Sequence, residues 1–238
     1  NRLASPEEQE TLSEYVGWGG IAQAFDENNE KWSNEYSELK NLLSPEEYES
    51  AKGSVLNAHF TSPTVIDAVY KALENNGFKG GNILEPAMGI GNFFGRMPEK
   101  MIQNSSLYGV ELDSISGRIA KQLYQSADIC INGFEKTDFN DNTFDLAVGN
   151  VPFGGYSLNE KKYNKYHFHI HDHFFAKALD KVKPNGIVAF VTSKGTLDKK
   201  NPAVRKYLAE RAELVGAVRL PNNAFKANAG TEVTTDII

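Results

Sequence analysis

Asn150-Val151-Pro152-Phe153 puts a carboxamide, a proline-restricted backbone and an aromatic face into one short run, inside "GNVPFGG" and directly after the apolar "FDLAV". A stretch rich in Gly, Asn and Pro after an apolar run is by default a loop. The choice is between such a turn and a catalytic motif with one odd letter. Three other runs sit in the same kind of place. "NILEPAMGIGNFFG" sets Glu85 ahead of Gly89 and Gly91. Glycines there let backbone approach a ligand closely, although two glycines after an apolar run are also an ordinary tight turn. The spacing is not G-x-G-x-x-G, since position 94 is Phe and the next glycine is Gly95. A carboxylate beside that turn would repel a pyrophosphate and suits a cationic ligand. "SLYGVELD" brings Glu111 about 20 residues beyond the glycines, where a carboxylate can take both hydroxyls of a ribose. Asp113 reads as the cap of the next helix. "ADICINGFEKTDF" brings Phe134, either stacked on an adenine face with Glu135 or Asp138 near its amine, or tucked into the core.

These runs can act together only if the fold gathers them. Short apolar strands are expected at 82–87, 106–112, 127–132, 144–150, 186–193 and 214–220, with a seventh, cut short, in the trailing "TEVTTDII". Helices are expected near 91–102, 114–126, 171–183 and 201–211. Such alternation predicts an α/β fold with a mainly parallel seven-stranded sheet and helices on both faces. Ligands then bind beyond the carboxyl ends of the strands, where all four runs fall. A helix over 61–77 precedes the first strand. Its expected cap is Ser62, with Pro63 at the first helical position, Val65, Ile66, Val69, Tyr70 and Leu73 as the apolar stripe, and Gly77 as the stop. Residues 1–56 read as a helical extension with two similar starts, Ser5-Pro6 and Ser44-Pro45. "GWGG" (17–20) breaks its first helix.

In this order and strand context the runs resemble the class I S-adenosylmethionine-dependent methyltransferases that methylate amino groups, in which Asn-Pro-Pro-Tyr or Phe follows the fourth strand. More narrowly, "YVGWGG", "AHFTSP", "NVPFG", "TSKGT" and "EVTTDII" together are similar to methylase domains of large helicase–methylase proteins of phages, plasmids and conjugative elements. The resemblance implies a Rossmann-like methyltransferase domain over 57–238 with S-adenosylmethionine as cofactor. It carries the cofactor loop onto Glu85, Pro86, Ala87, Met88, Gly89, Gly91, Asn92 and Phe93. It carries ribose binding onto Glu111 and Leu112, and the adenine contact onto Phe134 and Glu135. His59, Phe60 and Thr61 would close over the methionine end. Asn150 would touch both cofactor and substrate.

The same resemblance gives 150–153 a chemistry. An exocyclic base amine is a weak nucleophile because its lone pair is delocalised into the ring. Two acceptors on its protons, the Asn150 side-chain oxygen and the Val151 carbonyl, would draw the nitrogen toward tetrahedral geometry. Phe153 would stack on the base. Positioning and electrostatics then carry most of the catalysis, and the base must be flipped out or single-stranded. Valine supplies a carbonyl as well as proline does, and Pro152 still biases residue 151 to an extended backbone. Valine also adds an N–H that needs a partner.

The expected reaction is methylation of the N6 amine of adenine in DNA. The alternatives are another planar amine, such as a protein glutamine or an RNA base, or a silent cofactor- or DNA-binding module of a larger helicase protein. "GWGG" and the apparent size of the parent favour DNA. The first residues contain no Met and the last run stops mid-strand, as in a piece of a longer protein that includes a helicase-like region.

Composition fits an ordinary globular core: 40% hydrophobic residues and a net charge of −6. That charge does not suggest tight nonspecific nucleic-acid binding. Two modest basic clusters, Lys161/Lys162/Lys165 and Lys194/Lys199/Lys200, read first as solvated surface. One cysteine, Cys130, allows no disulfide within the chain and fits a buried strand position in a reducing cytoplasm. No apolar run is long enough to span a membrane, and no signal peptide is seen. "HFHIHDHFF" alternates His167, His169, His171 and His173, which on a strand would suggest a metal site. A helix over "IHDHFFAKALDKV", with Phe174, Phe175, Ala178, Leu179 and Val182 buried, is the stronger reading. On it His171 and His173 do not share a face, so they are expected as surface or loop histidines beside the cleft, with no metal.

Overall fold

The structure is a computed structural model that describes residues 2–55, 61–222 and 234–238. Its N-terminal part holds α1 (Pro6–Ser13), α2 (Ser33–Leu42) and α3 (Pro45–Ser54). α1 and α3 both start on a capping box: Ser5 with Glu8, and Ser44 with Glu47. Each box satisfies backbone donors that the first turn leaves open. Trp18 of "GWGG" packs edge-on against Tyr15 and Phe25, at ring-centroid separations of 6.0 and 5.7 Å. Phe25, Tyr48 and Ala51 complete that small core. The glycine–tryptophan run therefore shapes a packing corner.

Beyond it come α4 (Pro63–Asn75), β1 (Asn82–Glu85), α5 (Asn92–Gly95), α6 (Glu99–Gln103), β2 (Ser106–Glu111), α7 (Ser114–Leu123), β3 (Asp128–Ile131) and β4 (Phe144–Asn150). Then follow α8 (Ile170–Lys181), β5 (Val182–Ser193), α9 (Gly195–Asp198), α10 (Ala203–Ala209), β6 (Val218–Arg219) and β7 (Thr235–Ile237). The sheet is seven-stranded, in the order β3-β2-β1-β4-β5-β7-β6. β1 to β5 pair in parallel, and β7 runs antiparallel between β5 and β6. The chain reverses direction across the sheet between β1 and β4, so a crevice opens there, at the carboxyl ends of the strands.

α4 buries the expected stripe, Val65, Ile66, Val69, Tyr70 and Leu73, against the sheet. Ser62 occupies the cap position but its side chain makes no capping bond. The single helix expected over 91–102 is two, because Pro98 between them has no N–H to continue the first. β5 is longer than expected: Val182 pairs with Phe144 before an irregularity, after which Ile187 pairs with Leu146. β6 keeps only two residues of the run read over 214–220. α8 departs furthest from expectation. It is buried all round from Ile170 to Ala178, and Leu179 is only half-buried. Phe174, Phe175 and Ala178 join the sheet-side core, and Ala176 faces a second cluster with Tyr163, Phe168, Val204 and Tyr207. A helix covered on both sides cannot show a one-faced stripe.

The N-terminal part is fastened to α7. Gln9 Nε2 donates to the Gln122 carbonyl at 2.7 Å, and Gln122 Oε1 accepts from Ala4 N at 2.7 Å. Ser50 Oγ donates to Asp113 Oδ1 at 2.8 Å, and Arg118 pairs with Glu47.

Candidate active site

A cavity of about 540 Å³ opens at the crevice, within the usual size of a small-molecule site. Four strand ends build its floor. β1 delivers Glu85, Pro86, Ala87, Met88 and Gly89, with Asn92 and Phe93 from the helix that follows. β2 delivers Glu111, Leu112 and Asp113; β3 leads into Asn132, Gly133, Phe134 and Glu135; β4 leads into Asn150, Val151, Pro152 and Phe153. Thr61 lines it too and is buried. His59 and Phe60 lie outside the described residues. Gly91 is not in the lining. It holds a left-handed backbone (φ +89°) at the cap of α5, and a Cβ there would meet the Tyr124 ring at 2.3 Å. Tyr124 Oη donates to the Gly91 carbonyl at 2.6 Å, so Gly91 shapes the loop from behind. Asp138 is also absent from the lining.

Glu111 is held by two backbone donors. Its Oε2 accepts from Gly89 N and its Oε1 from Asp113 N, both at 2.7 Å. One carboxylate thus ties the β1 loop to the β2 end and keeps further lone pairs for a ligand. Burial pushes it up to about 7, against these hydrogen bonds, which pull it down. Asp113 caps α7, as expected, accepting from Ser116 N at 2.9 Å and Ile115 N at 3.4 Å. Glu85 lies at the β1 tip, 2% exposed. Burial raises it well above the usual carboxylate range, and the charge of Glu111 adds to the rise. Its Oε2 is buried with no hydrogen-bond partner among the described residues. Gly149 (φ +153°) brings the β4 tip beside it: a Cβ there would stand 3.4 Å from Glu85 Cγ.

Val151 is buried, and its N–H donates to the Val191 carbonyl of β5 at 3.1 Å. The N–H that proline would lack therefore extends the β4–β5 ladder by one bond. Phe134 is both cavity wall and core. Its ring lies 5.1 Å from the Phe174 ring, and Lys177 Nζ stands 5.0 Å from its centroid. Lys177 is 1% exposed. It donates to Glu160 Oε1 at 3.0 Å and to the Thr137 carbonyl at 3.2 Å, while His173 Nε2 meets Glu160 Oε2 at 2.8 Å. Burial opposes ionisation of Glu160, but the bonds from His173 and Lys177 hold it below its ordinary value; burial lowers Lys177. This buried network ties the 154–169 loop to the helix behind Phe134.

The histidines correct the surface reading. His171 and His173 are buried, 3% and 2% exposed, because α8 is covered on both sides. His169, His171 and Asp172 bring ligand-type atoms within 4.8 Å of one another. Lys199 already pairs with Asp172, so that carboxylate has a cation. Burial drops His171 to about 4, which leaves it neutral at ordinary pH. Of the basic clusters, Lys162 pairs with Asp180 and Asp141, and Lys165 lies over the Tyr166 ring at 4.8 Å. Cys130 is half-buried and free.

Sequence reasoning did not foresee Glu49, Ser50 and Gly53 of α3, or Tyr156, Leu158, Ile170 and Phe174, all of which line the cavity. The last two carried a signal, being apolar at the start of a helix after a candidate loop. The α3 residues carried none, since a polar helical face reads as solvent-facing.

Residues 45–238 match the family model described as N-6 DNA Methylase. The chain belongs to this family. Among curated relatives it is 30% identical over 207 residues to Defense against restriction protein B of Escherichia phage P1, covering 84% of this chain and 9% of that protein. It is 29% identical over 175 residues to the type I restriction enzyme MjaIX methylase subunit of Methanocaldococcus jannaschii, covering 62% of this chain and 31% of that subunit. The chain therefore spans under a third of either relative. Its fold is shared with a putative class I S-adenosylmethionine-dependent methyltransferase of Listeria monocytogenes (TM-score 0.63, 18% identity, 95% of this chain and 79% of that one). It is shared equally with the type I restriction-modification methyltransferase subunit of Streptococcus thermophilus (TM-score 0.62, 18% identity, 86% and 51%).

This family and fold imply S-adenosylmethionine, and the cavity fits it. The lining among the described residues includes five carboxylic acids (Glu49, Glu85, Glu111, Asp113 and Glu135) and no Lys, Arg or His. Such a wall sets no cationic side chain against a ligand carrying a sulfonium and an ammonium. The unmatched Glu85 oxygen and the cradled Glu111 add acceptors for ligand N–H and O–H groups.

Proposed function

We propose that this methylase domain transfers a methyl group to the N6 amine of adenine in DNA. One observation carries the reading: Asn150, Pro152 and Phe153 share a single cavity with Glu85, Gly89 and Glu111. A target amine held by the first set would meet a methyl donor held by the second. The cofactor would supply an electrophilic methyl group. The chain's own work is to place the amine. The Asn150 oxygen and the Val151 carbonyl would accept hydrogen bonds from its two N–H groups, Phe153 would stack on the base, Phe134, Ile170 and Phe174 give the pocket an apolar wall, and the proton lost as the methyl group arrives passes to solvent. The base reaches this pocket flipped out or from a single strand. The family and both curated relatives support DNA over RNA or a protein amide.

The test is product identity. Labelled cofactor and DNA should give N6-methyldeoxyadenosine on digestion to nucleosides. Label found instead in RNA or in a glutamine side chain would move the substrate. Cofactor binding without transfer to any of the three, in the full parent chain, would make this a silent module.

A further inference from the structure

α3 lies outside the strand-end motifs, yet three of its residues line the cavity. Its helical geometry explains how. Tyr48 and Ala51 point into the N-terminal aromatic cluster and are buried. Glu49 and Gly53, four residues apart, share the next face, and Ser50 lies beside them. Ser50 Oγ donates to Asp113 Oδ1 at 2.8 Å, which locks α3 against the cap of α7. Asp113 N in turn donates to Glu111. The wall that α3 forms therefore stands beside the β2 end, where Asp113 and Glu111 line the same cavity.

We infer that α3 is part of the cofactor site: it covers the nucleoside half, and Glu49 supplies an acceptor to the ribose hydroxyls or the adenine amine. This rests on the reading that the cavity binds S-adenosylmethionine. Nucleoside donors outnumber the acceptors that Glu111 alone offers, and Glu49 is an exposed carboxylate at the cavity mouth. At Gly53 an added Cβ meets nothing within 4 Å among the described residues. The N-terminal helices then belong to the binding site as much as the sheet does.

Two variants test this, each titrated with S-adenosylhomocysteine and, separately, with adenosine, which lacks the methionine half. Gly53→Phe should fill the mouth and weaken both ligands by about tenfold or more. Its melting temperature should not fall, since Phe is a better helix former than Gly. Glu49→Ala, at an exposed helical position where alanine suits the helix, removes the acceptor and should weaken both ligands three- to tenfold. Wild-type affinity for both ligands in both variants would overturn the inference. So would a loss for S-adenosylhomocysteine with adenosine unaffected, which would put α3 over the methionine half. A wild-type chain that binds neither ligand would instead sink the cofactor reading itself, and the inference with it.

Discussion

Val151→Pro restores the commoner letter of the motif, and the structure says it should make this protein less stable. The Val151 N–H donates to the Val191 carbonyl at 3.1 Å, and both residues are buried, 1% and 0% exposed. On the other side of β5, Phe190 exchanges hydrogen bonds with Ile238, so the next carbonyl, Val191, faces β4. Proline removes its donor. An unpaired buried carbonyl costs about 1–3 kcal/mol. Proline returns about 0.4–1 kcal/mol by stiffening the unfolded chain. Side-chain volume changes little. The difference spans about 0–2.6 kcal/mol with a midpoint of about 1.3 kcal/mol, which in a chain of this length lowers the melting temperature by about 3–5 °C. Scanning calorimetry on the two proteins would read it. Methyl transfer should stay within a few-fold of wild type, because proline presents the same carbonyl. An unchanged or raised melting temperature would refute the argument that valine is retained for its N–H.

Cofactor affinity should depend on pH. Glu111 is raised to about 7 by burial, so the ligand-free site holds its proton below that value. A carboxylate that must accept ribose hydroxyls or face a cation binds best ionised. Affinity should fall by up to tenfold per pH unit below about 7 and level off above it; titrations at pH 6 and pH 8 in buffers of different ionisation enthalpy would also show proton release. Equal affinities and no proton release would remove Glu111 from the ligand. Gly91→Ala should destabilise by about 2–4 kcal/mol, from left-handed backbone strain plus the clash with Tyr124, read by chemical denaturation. Lys177→Met should cost about 2–3 kcal/mol by removing one of the two side chains, Lys177 and His173, that meet Glu160, and Lys177→Met with Glu160→Gln should recover part of it. Additive losses in the double variant would show that the pair is not coupled.

The strand ends were legible because each is an apolar run followed by residues of distinctive chemistry. Glu85, Glu111 and Asn150 could be placed on one edge from order alone, since a mainly parallel sheet aligns its carboxyl ends. Asp113 announced itself by position ahead of a helix. What escaped was whatever depended on a third layer. α8 looked amphipathic because its second face is covered by residues around Tyr163 and Tyr207, a contact no local pattern records. Buried Lys177 and His173 are tolerated only because Glu160, more than a dozen residues away in the chain, reaches both. "GWGG" read as a helix break, and the aromatic packing of Trp18 against Tyr15 and Phe25 leaves no local pattern either. α3 was legible as a helix starting at Ser44-Pro45, but not that Glu49, Ser50 and Gly53 line the cavity. Gly91 was placed in the cofactor loop by resemblance, and nothing local announced that Tyr124, thirty-three residues on, packs against it and bonds its carbonyl.

The account stands on Asn150 as the group that receives the target amine. The direct measurement is methyl transfer to DNA by Asn150→Ala beside wild type, with S-adenosylhomocysteine affinity measured on the same samples. The account predicts transfer lost by 100-fold or more, on the order of a lost transition-state contact, with cofactor affinity within about threefold. Transfer at the wild-type rate would contradict it.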